Sequence, residues 1–480
     1  MGTTFYGLFK SNPAIMSSPG TEQNPWRIAI IGAGPAGFYA ADHFFKQADL
    51  HVNVDVFDRL PTPHGLVRAG VAPDHEKIKN VTRIFDKTAS NPSFRFFGNV
   101  EFGNHVSLEQ LRSFYHQVYF STGAQVDRAL GIPGEDLERS YSATEFVAWY
   151  NGHPDFRDLQ FDLSQERVVI VGVGNVAIDV ARILCKTVNE LKTTDIADYA
   201  LDALSESRVK EVILMGRRGP AQAAFSLKEI KEMGELADAS AVTMADEMQL
   251  DEHSSAQLET NPDRMTSKKL DVLDGFLEGT NETASRTCQV RFLVSPIELQ
   301  DDGSGAVGAM KVGRNKLEPS SSGRLGARAT GETFEWPVGL VFRSVGYRGV
   351  ALPDIPFNDA WGVIHNEKGR ITDADGNVVE GCYAGGWIKR GPTGVIGTNK
   401  PDAVETVACM IEDLQAGKHF SPSESDAESF LRGVQPALFN YADWLELDRI
   451  ETERGTASGR PRVKFTSVEE MVSALGKSPE

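Results

Sequence analysis

The sequence predicts an α/β protein built from two Rossmann-like dinucleotide-binding domains, the first of them discontinuous along the chain. Three observations lead there. Residues 28–58 carry a glycine-rich turn between an apolar run and a helical pattern, residues 168–179 carry a second, and glycine-ended apolar runs reappear after residue 340.

In the first unit Ile28 to Ile31 reads as a buried strand, Gly32, Gly34 and Gly37 make a G-x-G-x-x-G turn, and Phe38 to Phe45 continues as a helix. Glycines let a pyrophosphate approach the backbone at a helix N-terminus, where free N–H groups and the helix dipole favour negative charge. A carboxylate about 20 residues on, at the end of the next strand, is the expected ribose ligand. Val52 to Phe57 supplies that strand and Asp58 the acid.

The second unit has Val168 to Val171 as strand, Gly172, Gly174 and Ala177 as turn, and Val176 to Leu184 as helix. Its next apolar run, Val212 to Met215, ends in Gly216, Arg217 and Arg218 rather than in an acid. A carboxylate there would repel a 2′-phosphate, whereas paired guanidiniums bind one through charge-assisted hydrogen bonds. The second site is therefore expected to take NADP(H) in preference to NAD(H); the competing reading is that the two arginines only solvate a strand end.

A chain of 480 residues has room for two or three domains. Its formal charge of −18 argues against nucleic acid and anionic membrane surfaces as partners. No apolar stretch approaches the length of a membrane span. Residues 1–25, with one Lys and no Arg, are expected to be a disordered leader with Met16 as an alternative start, and they fit neither a secretory signal nor an Arg-rich presequence. Cys185, Cys288, Cys382 and Cys409 are separated by 103, 94 and 27 residues, without C-x-x-C or metal-ligand spacing. A reducing compartment, the cytoplasm, is the corresponding expectation. With no redox-active dithiol, electrons moving between two nucleotides must leave to a carrier outside the chain.

The expected domains are residues 26–126, the first part of the first domain; 127–345, the second domain; and 346–480, the return to the first with a C-terminal helical tail. Val118 to Phe120 reads as a strand, Asp127 to Arg139 as the crossover, and Asp246 to Lys269 as loop and short helices inside an otherwise alternating α/β unit. Leu340 to Val345 and Cys382 to Ala384 read as late strands, and Ser421 to Ser429 as a solvated linker.

Five blocks in order, PHGLVRAGVAPDHEKIKNV from Pro63, FFGNVEFG from Phe96, GNVAIDVARIL from Gly174, GRRGPAQAAF from Gly216 and GWIKRGPTGVIGTNK from Gly386, resemble adrenodoxin reductase and its bacterial ferredoxin-NADP reductase relatives. The resemblance spans nearly the whole chain after Pro25. It implies a glutathione-reductase-like flavoprotein architecture, FAD at the first turn, NADPH at the second, and electrons handed singly to a [2Fe–2S] ferredoxin or adrenodoxin-type carrier. Carried over by motif, FAD contacts fall on Ala36, Asp58, Leu66, Phe102, Trp387, Gly394, Val395 and Ile396. NADP(H) contacts fall on Val173, Gly174, Asn175, Val176, Arg217, Arg218 and Glu229, with Gly394 near the nicotinamide.

The resemblance also pairs His75 with Glu229 at the cofactor junction, Glu229 on the carboxamide and His75 hydrogen-bonded to it or serving the docked ferredoxin. The bland alternatives are a loop histidine and a helix-surface carboxylate. Arg264, Lys268, Lys269, Lys389 and Arg390 are the expected basic docking residues for an acidic ferredoxin. Two departures stand out: His64 where the family has an aromatic residue, and Asp58 where it usually has Glu. His64 either alters packing or redox tuning near the flavin or is a surface histidine stacked on its neighbours. The mitochondrial matrix is the alternative compartment the family implies. The competing activity is that of an NADPH-dependent flavin monooxygenase or diaphorase, but the F-x-G-x-x-x-H-x-x-x-W signature expected of the monooxygenases is absent.

Overall fold

The computed structural model describes residues 19–321 and 323–477, so the leader expectation for residues 1–18, Met16 included, lies outside the described residues. Residues 19–25 are not loose: Gly20 and Thr21 donate backbone N–H groups to the Asn24 carbonyl at 2.8 and 3.2 Å.

The first sheet begins with β1 (Trp26–Ile31), β2 (Val52–Phe57), β3 (Phe94–Phe97) and β4 (Gln117–Phe120). All four run parallel, with β1 between β2 and β4. Their apolar runs are continuous because both faces are covered, as parallel sheets require. Ile28, Ile30, Val54 and Val56 pack on one side with Phe38 from the helix Pro35–Phe45, and Ala29, Ile31, Phe57 and Val118 pack on the other.

After β4 the chain leaves through β5 (Val126–Asp127) into a second sheet, formed by β6 (Ser140–Ser142), β7 (Arg167–Val171), β8 (Glu211–Met215), β9 (Ala239–Thr243) and β10 (Arg286–Arg291). Then β11 (Val294–Asp301), β12 (Val307–Pro319) and β13 (Leu325–Pro337) make a separate antiparallel sheet, β14 (Leu340–Arg343) returns to the second sheet, and β15 (Tyr347–Arg348) pairs antiparallel with β5. The order of the second sheet is β6-β14-β7-β8-β10-β9, all parallel. Both chain crossings between the two large sheets therefore run side by side.

The three-stranded sheet departs from the expected alternating α/β unit. It buries Val294, Val307, Met310 and Val312 against Val169, Val171, Ile213 and Met215, covering a face of the second sheet that strict alternation would give to a helix. The strand Val378–Ala384 then pairs parallel with β4, Cys382 opposite Val118, and carries two short antiparallel strands at its edge. This makes the first domain discontinuous.

Cys185 and Cys288, distant in sequence, are neighbours in the second domain's core. The Cys288 thiol is raised well above its ordinary value by its hydrogen bond with Cys185 and by burial. Both are fully buried, so the pair has no exposed sulfur for exchange.

The expected linker at residues 421–429 is partly helical, because Asp426 caps the helix Ala427–Val434 through the Ser429 N–H at 3.0 Å. Beyond it, the helices Tyr441–Ala457 and Val468–Ala474 form a C-terminal arm. Glu451 in this arm is wholly buried and accepts from Arg68 at 2.5 and 2.8 Å, from Arg462 at 3.2 Å and from the Phe465 N–H at 2.8 Å. Asp195 in turn binds Lys79 at 2.7 Å and Lys464 at 3.3 Å, tying the arm to segments that precede and follow the crossing at β5.

Candidate active site

The two glycine turns are one device used twice. Each comes after the strand where its sheet reverses order, β1 and β7, which is where open parallel sheets bind ligands. Gly32 has φ +108°, and a Cβ there would stand 2.5 Å from the Ser121 carbonyl oxygen. Gly172 has φ +142°, and a Cβ would stand 2.1 Å from the Ser344 carbonyl oxygen. Only glycine fits at either position. Gly34 and Gly174 cap the next helices without a side-chain capping bond, and a Cβ on either would meet nothing within 4 Å. Open space in front of an uncapped helix N-terminus fits a dinucleotide pyrophosphate.

Asp58 brackets the first turn. Its carboxylate accepts from the Ala33 N–H at 2.9 Å and the Leu60 N–H at 3.0 Å. Burial pushes its pKa up against the pull of those two bonds. An ionised carboxylate has about four acceptor positions, so two remain for a ribose diol.

The 63–66 and 386–396 segments converge on this turn. The His64 N–H donates to the Ala33 carbonyl at 2.8 Å, and Gly65 lies close against Gly34. Gly386 packs on Ala36. Leu66 starts a short helix and is partly exposed; Trp387 starts another, its ring stacked on Tyr347 at 5.6 Å. Gly394 takes φ +78°, while Val395 is exposed and Ile396 half-buried. Phe102 differs from these: its ring is buried edge-on to Phe120 at 5.1 Å, so it serves the core.

His64 is not a surface residue. Only 3% exposed, with φ +84°, it lies among Phe38, Phe85 and Trp444 and does the packing of an aromatic side chain. Burial, helped by Arg68 and Arg462, lowers its pKa to about 3.

At the second turn the Val173 carbonyl accepts from the Ala224 and Phe225 N–H groups, both at 3.0 Å, and Asn175 Oδ1 accepts from the Ser226 N–H at 2.8 Å. Val176 lies half-buried at the start of the helix Asn175–Cys185. These bonds fix the loop leading into the helix Leu227–Met233, which carries Glu229. Arg217 and Arg218 follow β8 by one residue, the first exposed and the second half-buried.

Where the segment 74–75 meets the helices Asn175–Cys185 and Leu227–Met233 lies an ionic cluster centred on Arg182, which is 1% exposed. Its guanidinium donates to Asp74 at 2.9 and 3.0 Å, Asp179 at 2.8 Å, and Glu229 and Glu232 at 3.0 Å each. His75 Nε2 is 2.7 Å from Glu232 Oε2 but 3.7 Å from Glu229 Oε2. The structure brings the expected pair His75 and Glu229 to ion-pair distance, and gives His75 a closer partner, Glu232. Three residues apart on one helix, Glu229 and Glu232 share a face. That spacing is the sequence signal for the missed residue. His75 and Glu229 are both buried, which removes the bland readings of each. His75, Asp179 and Glu229 are close enough to suggest a metal site, but the Arg182 guanidinium already supplies the positive charge that both carboxylates face.

Asp179 is pushed up to about 7, chiefly by burial and further by Glu229 and Asp74, despite Arg182. The folded state therefore holds this proton to higher pH than the unfolded chain, whose ordinary value is 3.8. Its contribution makes stability fall as pH rises from about 4 to about 7 and stay level above. Asp179→Asn should remove that slope, read as the urea midpoint across this range; an unchanged pH dependence in the variant would refute the assignment.

The expected docking lysines need correction. Lys389 is buried on Glu405 at 2.7 Å and Asp402 at 3.1 Å. Arg390 is turned inward to Asn399 at 2.9 Å, and Lys269 donates to the Ala223 carbonyl at 2.8 Å. Arg264 and Lys268 are exposed, four residues apart on the helix Arg264–Asp274.

Two dinucleotide turns of one design in one chain, with an acid after the first and two arginines after the second, define the class of flavin- and pyridine-nucleotide-dependent oxidoreductases. The family model described as pyridine nucleotide-disulphide oxidoreductase matches residues 26–214. The chain is 44% identical over 461 residues to the NADPH-ferredoxin reductase FprA of Mycobacterium tuberculosis, covering 93% of this chain and 98% of that protein. It is 41% identical over 487 residues to the mitochondrial NADPH:adrenodoxin oxidoreductase of Salvelinus fontinalis, covering 98% and 94%. The solved structure of Mycobacterium tuberculosis FprA in complex with NADPH matches with a TM-score of 0.88, over 94% of this chain and 99% of that one. The chain belongs to the adrenodoxin-reductase type of ferredoxin-NADP reductases.

Proposed function

We infer that this protein is an NADPH-dependent ferredoxin reductase, with FAD at the turn Gly32–Gly37 and NADP(H) at the turn Gly172–Ala177. FAD held there would supply the conversion of a hydride's two electrons into single electrons for a ferredoxin-type carrier. The observation that carries the reading is the asymmetry of two otherwise identical turns, one closed by Asp58 and the other by Arg217 and Arg218.

The protein's own work is positioning. The uncapped helix N-termini at Gly34 and Gly174 hold the two pyrophosphates, and Asp58 a ribose. Leu66, Phe102, Trp387, Gly394, Val395 and Ile396 serve the flavin side. Val173, Asn175 and Val176 line the NADP(H) turn. Glu229 is held by Arg182 where the resemblance puts a carboxamide contact, and His75 is held by Glu232 beside it. Hydride transfer asks no proton of either residue. Replacing His75 with Gln, or Glu229 with Ala, is expected to slow NADPH-driven flavin reduction about ten- to a hundredfold without loss of bound flavin. Unchanged rates in both would remove the role.

The same reading includes the division at 26–126, 127–345 and 346–480, supported by the pairing of β5 with β15 at the two crossings. A [2Fe–2S] carrier, acidic like others of its kind, is the proposed partner, with Arg264 and Lys268 as the docking cations left after the corrections above. Among the described residues no helix is long and apolar enough to cross a membrane. Four buried free thiols suit a reducing compartment, the cytoplasm or alternatively the mitochondrial matrix.

The purified protein's absorption spectrum tests the core of the reading. Flavin bands that bleach on NADPH addition, and cytochrome c reduction that requires added ferredoxin, are expected. A colourless protein, or ferredoxin-independent turnover at the same rate, would overturn it.

A further inference from the structure

The antiparallel sheet β11–β13 is attached to the second nucleotide unit at specific points. The Val294 N–H donates to the Gly216 carbonyl at 3.1 Å, the Leu293 N–H to the Arg218 carbonyl at 3.1 Å, and Asn315 Nδ2 to the Arg217 carbonyl at 3.0 Å. The backbone of all three residues that follow β8 is thus held by this sheet and by Leu293 just before it. Asn315 is buried at a break in the β12–β13 register, and its own N–H is held by the Leu293 carbonyl at 2.7 Å.

The far end of the sheet reaches the same place. Pro319 pairs with Leu325, the Ser320 N–H donates to the Arg324 carbonyl at 2.8 Å, and the Leu317 side chain packs toward Gly219, the residue after Arg218. Arg324 is exposed and close enough to Arg218 that their like charges repel. Among the described residues, none of Arg217, Arg218 and Arg324 has a carboxylate partner; Arg218 donates only to the Gln222 carbonyl at 3.4 Å. The neighbouring carboxylates are engaged elsewhere, Glu318 by Lys316 at 2.8 Å and Asp251 by Ser254 at 2.6 Å.

Arg217 and Arg324 both repel Arg218, and a phosphate monoester, carrying about −1.5 to −2 at neutral pH, relieves that repulsion. We propose that Arg324, presented by the β12–β13 hairpin, is a third guanidinium of the clamp that separates 2′-phosphorylated from unphosphorylated adenosine dinucleotides. This rests on the reading of the second turn as the NADP(H) site. It adds a residue more than a hundred positions downstream of the strand-end arginines.

The test titrates the flavin-loaded protein with 2′,5′-ADP and with 5′-AMP by calorimetry, for wild type, Arg324→Ala, Arg324→Lys and Arg218→Ala. Arg324→Ala is expected to weaken 2′,5′-ADP about tenfold or more while leaving 5′-AMP binding and melting temperature as in wild type. Arg324→Lys, keeping charge but losing the fork, should fall between. Wild-type affinity for 2′,5′-ADP in Arg324→Ala, alongside a large loss in Arg218→Ala, would overturn the role of Arg324 and leave the NADP(H) reading intact. If Arg218→Ala also retains 2′,5′-ADP, both fail. Equal losses for 2′,5′-ADP and 5′-AMP in Arg324→Ala would mark a structural effect and overturn the specificity claim.

Discussion

Replacing Arg217 and Arg218 together by alanine is expected to lower kcat/KM for NADPH by roughly 10²–10⁴-fold and to leave NADH turnover close to that of wild type. Each guanidinium makes charge-assisted hydrogen bonds worth about 1.5–3 kcal/mol, and every 1.4 kcal/mol is tenfold. The two side chains follow β8 without a carboxylate partner among the described residues, so their removal strands no buried charge. The loss should fall mainly on KM, because a 2′-phosphate is bound alike in ground and transition states. Steady-state kinetics with both nucleotides decides. A variant that keeps its preference for NADPH would show that the arginines only solvate the strand end.

The second large effect is on stability. Glu451→Ala should destabilise the protein by about 3 kcal/mol, because it removes a wholly buried carboxylate, leaves the half-buried Arg68 without its carboxylate partner and leaves Arg462 with Asp448 alone. Burial alone would raise Glu451, but Arg68 foremost and Arg462 hold it below its ordinary 4.5. Its stabilisation is therefore present above that pH and is lost as pH falls through the depressed value. Denaturant unfolding at neutral pH gives the number. A loss under about 1 kcal/mol would mean that the arm is held by its apolar contacts, Trp444, Leu447 and Phe465 among them.

Much of this architecture is written locally. The strand, turn and helix around Gly32 and around Gly172 are contiguous, and the residues that distinguish the two sites, Asp58 in one and Arg217 and Arg218 in the other, lie one strand further on. The return of the chain to the first sheet is legible from Cys382–Ala384 and the glycines after it, whereas Leu340–Val345, which reads the same way, closes the second sheet. The features that escape the sequence are long-range or two-sided. The β11–β13 sheet has an alternating pattern of modest hydrophobicity, with β13 largely exposed, so nothing local sets it apart from the alternating α/β unit around it. Glu229 and Glu232 look alike in sequence, and only the position of His75, about 150 residues earlier, separates them. Lys389 reads as a surface cation because nothing local announces Asp402 and Glu405 on the helix Asn399–Gln415. His64 departs from the family in chemistry while keeping an aromatic contact set, which composition cannot reveal.

The position of Val378–Ala384 beside β4 has a consequence for how the molecule is made. When β1 to β4 have left the ribosome, the outer edge of β4 has no neighbour until about 260 further residues are synthesised, roughly 13–50 s at 5–20 residues per second. In that interval the second sheet, contained within residues 140–343, can close completely. The nascent chain therefore finishes its later-encoded half first, and β4 waits as an unpaired parallel edge, the kind of surface on which aggregation begins. Ribosome release before residue 378 would yield a closed nucleotide domain attached to an open sheet, so quality control of this protein should concentrate on that waiting edge.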